Sequence, residues 1–243
     1  MKFGAITDKG QQRSKNEDNY CMASVPGMPF ALFAVADGVG GYKAGEVASE
    51  IAAEVLAKEY ETAAGNGEAP EPVEFLRITA QTANEEIIKH AAEMNYTDMG
   101  TTLVACAVTD TQIITINFGD SRAYLLSGGE LRQFTVDHTI FAEFVRSGKI
   151  TSDEAKRLYG SNRITNGLGF FACPTGDIFV DGREGADVLM LCSDGLSGML
   201  SFEEIREHLM ADGQPWEIAR NMVDDANTRG SNDNITAVVV RLN

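Results

Sequence analysis

The sequence predicts an α+β fold built from two mainly antiparallel sheets, each covered by helices. Three features point there. Short, continuous apolar runs bounded by turn residues read as buried strands. Other stretches repeat apolar residues every three or four positions, the mark of amphipathic helices. The order is strands, two helices, more strands, a helical insert, a strand, two helices and a final strand. Strands and helices do not alternate, which argues against a doubly wound parallel sheet.

Residues 1–8 read as a strand entering a loop. Residues 30–36 and 188–192 are continuous and apolar, as strands buried on both faces should be. Residues 101–109, 112–118, 122–126 and 235–242 are rich in Val, Ile, Thr and aromatics, the composition of strands. The first helix carries Val47, Ile51 and Val55 with Ala48, Ala52 and Leu56 beside them, one apolar stripe. The second runs from Phe75 through Ile78, Thr82, Ile87, Ile88 and Ala91 to about Met94. The Gly- and Pro-rich residues 65–72 connect the two. Thr151 to Glu154 and Ser201 to Glu204 fit the capping box that opens a helix. Pro215 opens the last helix and Gly230 closes it. No linker or low-complexity tract interrupts the 243 residues, so 1–243 reads as one domain.

Composition excludes several classes. No apolar run approaches the ~20 residues that a membrane helix requires. The first residues lack the apolar stretch and cleavage site of a secretory signal, so a cytoplasmic protein is expected. Cys21, Cys106, Cys173 and Cys192 form no Cys-x-x-Cys pair and read as core thiols. His90, His138 and His208 are too scattered for a zinc site. A net charge of −16, from 36 acidic against 20 basic residues, disfavours nucleic acid and anionic membranes as partners.

The acidic residues are patterned. Two buried-looking strands end alike, in Ala36-Asp37-Gly38 and Ser193-Asp194-Gly195, and another ends in Phe118-Gly119-Asp120-Ser121. A single Asp-Gly is an ordinary turn pair. A carboxylate at the rim of the core is costly unless its charge is compensated. Several such rims suggest acids converging on shared cations. Asp233, just before the last strand, is a further candidate. Near the amino terminus, Arg13 offers the planar fork that matches phosphate oxygens, and Glu17-Asp18 offers more oxygen ligands.

Other motifs fail on inspection. Asp225, Asn227 and Gly230 have calcium-loop offsets, but Arg229 takes a ligand position and Thr236 stands where the closing Glu is required. The glycines from Gly38 to Gly45 break the dinucleotide fingerprint at Lys43, and no phosphate-loop Gly-Lys-Ser/Thr follows.

Six blocks in order resemble the metal-dependent protein phosphatases of the PPM (type 2C) family in their short bacterial form. They are Arg13-x-x-Asn16-Glu17-Asp18, Ala36-Asp37-Gly38-x-Gly40-Gly41, Met99-Gly100-Thr101-Thr102, Gly119-Asp120-Ser121-Arg122, Cys192-Ser193-Asp194-Gly195-Leu196 and Asp233-Asn234-x-Thr236. The resemblance implies a four-layer α-β-β-α sandwich and hydrolysis of phosphoserine and phosphothreonine. Asp37 would bridge two cations. Asp194 and Asp233 would hold one of them; the Gly38 carbonyl and, through water, Glu17 would hold the other. Asp18 would hold waters or orient its neighbours, Asp120 with Asp194 resembles a weaker third site, and Arg13 would grip the phosphate.

An all-oxygen ligand set favours Mg²⁺ or Mn²⁺. Two such ions ~3.5–4 Å apart would activate a bridging hydroxide for direct, in-line attack on phosphorus. The resemblance further implies a monomer whose substrates are phosphoproteins made by a bacterial serine/threonine kinase. It also implies a flap over about residues 138–175 that governs substrate choice. Two departures stand out. Relatives carry His at the position of Tyr42 or Val39, and the segment from Leu158 to Gly169 lacks the usual His-Pro start. Two rival readings remain: a catalytically silent phosphoprotein-binding module, and a metallohydrolase of small phosphoesters.

Overall fold

The computed structural model describes residues 1–40, 44–151, 154 and 163–243. Two sheets stack face to face, every paired strand antiparallel. One sheet contains β2 (Asp18–Ala23), β3 (Ala31–Val39), β5 (Leu103–Val108), β6 (Gln112–Phe118) and β9 (Asp177–Gly182), in that order, with the short β4 (Gly100–Thr101) on β3. The other runs β1 (Lys2–Asp8), β11 (Ile235–Arg241), β10 (Ala186–Cys192), β7 (Arg122–Ser127) and β8 (Glu130–Gln133).

Strand periodicity builds three cores. Leu32, Ala34 and Ala36 of β3 and Leu103, Ala105 and Ala107 of β5 pack under α1 (Ala44–Asn66) and α2 (Pro72–Met94). The alternate residues, Phe33, Val35, Val104 and Cys106, meet Leu189, Leu191, Val238 and Val240 between the sheets. On the far side, Met190, Ala237 and Val239 pack under α5 (Phe202–Met210) and α6 (Pro215–Thr228). Successive side chains on a strand point to opposite faces, so fully apolar strands serve two cores at once. The result is the α-β-β-α layering expected from the sequence.

Three strands were not expected: β2, β8 and β9. All three are sheet edges. An edge strand packs on fewer neighbours, and these mix exposed with buried positions, so their apolar signal is weak. The predicted strand at 101–109 is interrupted at Thr102, whose N–H donates to the Asp37 carbonyl instead.

The helix ends agree better. Ser201 and Glu204 form the reciprocal capping box, and Pro215 occupies the first turn of α6. Thr151 and Glu154 exchange the hydrogen bonds of a capping box, while Ser152, Asp153 and residues 155–162 lie outside the described residues. A short helix, α3 (Ile140–Arg146), is capped by Thr139. Cys21, Cys106 and Cys192 are buried as expected; Cys173 is exposed. Among the described residues no helix is long and apolar enough to cross a membrane.

Candidate metal centre

The predicted acids gather at one end of the stacked sheets. Asp37 ends the apolar part of β3, and its parity with Phe33 and Val35 turns it towards the facing sheet. Asp18, which opens β2, is its register partner across the strand pair. Asp194 starts the single turn α4 (Asp194–Ser197) directly after β10, and Asp233 precedes β11. Asp120 lies in the turn between β6 and β7, and Glu17 lies just before β2.

Gly38 lets these parts close up. A Cβ there would stand 2.1 Å from the Gly45 carbonyl oxygen and 2.7 Å from that of Glu17. Only a residue without a side chain lets the start of α1 approach β3 this closely. The Gly38 N–H donates to the Glu17 carbonyl at 3.0 Å, which also accepts from Ser49 Oγ at 2.6 Å. Thr102 Oγ1 accepts from the Asp37 N–H at 3.0 Å and lies 2.7 Å from Ser121 Oγ.

The acids surround a cavity of about 490 Å³. Among its described lining residues, Glu17, Asp37, Asp120, Asp194 and Asp233 face a single cation, Arg13. Burial raises Asp37 well above the usual carboxylate range, and repulsion from Asp18, Asp194, Asp120 and Asp233 adds to it. Burial pushes Asp120 up to about 7, helped by Asp194 and Asp137. Glu17 and Asp194 are also raised, chiefly by burial. Such a cluster retains its negative charge at neutral pH only if something positive offsets it.

Asp18 differs from its neighbours. It does not line the cavity but lies behind it, 3 % exposed. Its Oδ2 accepts from Ser193 Oγ and Thr236 Oγ1, both at 2.7 Å, while its Oδ1 is buried without a partner. Burial raises it to about 7, against the pull of those two hydroxyls. Asp194 Oδ1 is likewise buried and unpartnered. Orphaned buried carboxylate oxygens are costly, and they suit a hard cation with oxygen ligands.

Arg13 reaches the cavity from the amino-terminal loop. Its Nη2 donates to Asp233 Oδ2 at 2.8 Å and its Nε to the Asn232 carbonyl at 3.1 Å. Asp233 Oδ1 accepts from the Asn234 N–H at 2.9 Å, so both its oxygens are engaged. Among the described residues no three His, Cys, Asp or Glu side chains already converge as an ion's ligands. All the predicted acids but Asp18 share one cavity, and Asp233 is turned to Arg13.

Ser193, Asn234 and Thr236, which flank the acids in the sequence, hold the site together. Asn234 staples the amino-terminal loop: its Nδ2 donates to the Lys9 and Lys15 carbonyls, and its Oδ1 accepts from the Glu17 N–H. Ser193 and Thr236 carry the inter-sheet parity of Leu191 and Val238, a signal that would have aimed both at Asp18. The rejected calcium loop is no loop of that kind: Asp225 and Asn227 lie within the last turns of α6, where Asp225 meets His208 at 2.8 Å, and Thr236 lies in β11. Val39 lines the cavity without an imidazole; Tyr42 lies outside the described residues.

Comparison with known proteins agrees with the fold. A family model of protein phosphatase 2C matches residues 8–235. The serine/threonine phosphatase stp of Listeria monocytogenes is 38% identical over 236 residues, covering 96% of this chain and 93% of its own. The solved S. agalactiae serine/threonine phosphatase superimposes with a TM-score of 0.88 at 31% identity, over 99% of each chain. The catalytic domain of the serine/threonine phosphatase PstP, solved in complex with two manganese ions, has a TM-score of 0.82 at 33% identity, over 98% of this chain and 96% of that one. On a match that spans nearly its whole length, the chain belongs to the protein phosphatase 2C family.

Proposed function

We propose that this protein hydrolyses phosphoserine and phosphothreonine in proteins, using Mg²⁺ or Mn²⁺ held in the acid-lined cavity. One observation carries the reading: five carboxylates and one arginine line a single cavity at the joined ends of two sheets. Asp37, Asp194, Asp233 and the Gly38 carbonyl would hold two core ions, with Glu17 acting through water. Asp120 and Asp194 would share a weaker third. When bound, the ions supply charge neutralisation and an acidified water as nucleophile.

The chain's own groups do the rest. Asp18, fixed through Oδ2 by Ser193 and Thr236, would orient its neighbours from behind the cavity. Thr102 fixes the backbone of Asp37. Arg13 keeps 47% of its side chain exposed, so its fork is free to exchange Asp233 for two phosphate oxygens. The substrates would be products of a serine/threonine kinase in the same cytoplasm, met by a monomer of one domain. The flap at about 138–175, whose Ile164 lines the cavity, would govern choice among them.

The test is turnover of phosphoserine and phosphothreonine peptides by purified protein in chelator, then with Mn²⁺ or Mg²⁺ restored. Activity is expected only with metal. Asp37→Asn should cost more than the about 10–100-fold typical of losing a metal's outer support, because it removes a ligand charge outright. Full turnover in chelator would overturn the reading.

A further inference from the structure

His138 takes no part in lining the cavity, yet it is bonded to two parts of the cavity wall. Its side chain is buried, the residue 8 % exposed. On one side, its backbone N–H donates to the Gly119 carbonyl at 2.9 Å and its Nδ1 accepts from the Gly119 N–H at 3.2 Å. Asn117, fully buried, adds a second donor to the same carbonyl at 3.1 Å. Gly119 has φ +99°, and a Cβ there would stand 2.6 Å from Thr102 Cγ2. The next residue is Asp120, which lines the cavity.

On the other side, the His138 carbonyl accepts from the Thr165 N–H at 2.8 Å, and Asn166 Nδ2 lies 3.2 Å from Nδ1. Thr139 and Ile164 form a bridge, and the Ile140 N–H donates to the Arg163 carbonyl at 3.1 Å. Ile164 lines the same cavity as Asp120. A backbone N–H can only donate, so Nδ1 carries a lone pair and the ring proton of the neutral imidazole resides on Nε2. Nε2 faces Asp177 Oδ2 at 3.2 Å. The tautomer is thus set from both ends.

We propose that His138 is a positioning residue that ties the Gly119–Asp120 turn and residues 163–166 into one unit, so that Asp120 and the flap edge hold a common geometry. Its kinetic consequence rests on the phosphatase reading above; its structural consequence does not. The imidazole is suited to this work because it offers an acceptor and a donor on opposite edges of one rigid ring. An aliphatic side chain of similar size would fill the space and leave the Gly119 N–H buried and unpaired.

Three variants separate the lock from mere packing. His138→Leu keeps volume and loses both nitrogens. His138→Asn places an acceptor oxygen near Nδ1. His138→Gln places an amide near Nε2 without the acceptor for Gly119. Amide exchange at Gly119, Asp120, Thr165 and Asn166, Mn²⁺ calorimetry and steady-state kinetics are measured on each. In His138→Leu, exchange at these four amides should accelerate roughly tenfold, as expected for losing a buried hydrogen bond. Its kcat should fall by about tenfold while KM moves less than about threefold, and its weakest Mn²⁺ site should weaken. His138→Asn should recover most of this and His138→Gln should not. Native exchange in His138→Leu, or equal behaviour of all three variants, overturns the proposal. If His138→Leu does not fold, the contrast of Asn with Gln decides. A wild-type protein inert towards every phosphopeptide would sink the phosphatase reading alone, and the exchange data would still judge the lock.

Discussion

At the scale of the residue, Arg13 shows how a site's chemistry and its stability come apart. Its ion pair with Asp233 joins side chains that remain 47% and 31% exposed. Screened pairs of this kind are worth about 0–1 kcal/mol. Arg13→Ala should therefore lower Tm by no more than about 4 °C in a domain of this size. The same change should raise KM for phosphopeptides and lower kcat, because the fork would contact phosphate in ground and transition states alike. A melting curve and a kinetic profile on one preparation check this; a large Tm loss with intact kinetics would make Arg13 a structural residue. The types of the site residues were legible because carboxylates at strand ends demand an explanation. Their partners were not. Ser193 and Thr236 meet Asp18 across 175 and 218 positions of sequence, and Arg13 meets Asp233 across 220. No local pattern carries a contact of that range, so Asp18 could be read as an acid of the cluster but not as the one lying behind it.

At the scale of the element, the central strands and the edge strand β1 were legible, and the other three edges were not. β3, β5, β10 and β11 feed two cores each, and continuous apolar runs are the signature of that burial. The edge strands β2, β8 and β9 expose part of their residues and lose the signature. The same logic identifies a tight joint in the fold, where β3 meets the start of α1. Gly38 and Gly45 face each other with no room for a side chain: a Cβ on Gly45 would stand 2.8 Å from the Gly38 carbonyl carbon and oxygen. Gly38→Ala should therefore cost at least the ~1–3 kcal/mol of an overpacked core, since the obstacle is backbone and cannot rotate away. Chemical denaturation should show the midpoint falling with little change in slope. Metal affinity should fall too, because the Gly38 carbonyl would move with its strand. A Gly38→Ala protein as stable as wild type would mean that α1 can slide, and that the joint does not fix the site.

At the scale of the whole molecule, a net charge of −16 coexists with a buried knot of acids at the sheet ends. The sequence conveyed the excess charge; only the fold shows how much of it is forced together. Asp18 and Asp120 are each raised from 3.8 to about 7, and Asp37 is raised as well, in every case chiefly by burial. A carboxylate with a raised folded-state pKa holds its proton in the native protein while the unfolded chain has released it. Between about pH 4 and 7 the folded state therefore binds more protons, so stability falls as pH rises, and above about 7 the whole penalty is present. Below about pH 4 both states are protonated and the penalty vanishes. Asp18 and Asp120 are each worth on the order of a few kcal/mol in this way. Divalent cations reverse the sign, since they bind the deprotonated carboxylates of the folded state and not the unfolded chain. In chelator, Tm should fall between pH 5 and pH 8; with saturating Mn²⁺ the gap between the two melting curves should widen over the same range. Asp120→Asn removes one raised carboxylate, so in chelator it should gain stability relative to wild type at pH 8 and not at pH 4, where the native group is already protonated. Differential scanning calorimetry of both proteins at these pH values measures it. A wild-type Tm in chelator that rises steadily to pH 8, with Asp120→Asn parallel to it, would show that the acids are not strained by one another and need no ion to hold them together.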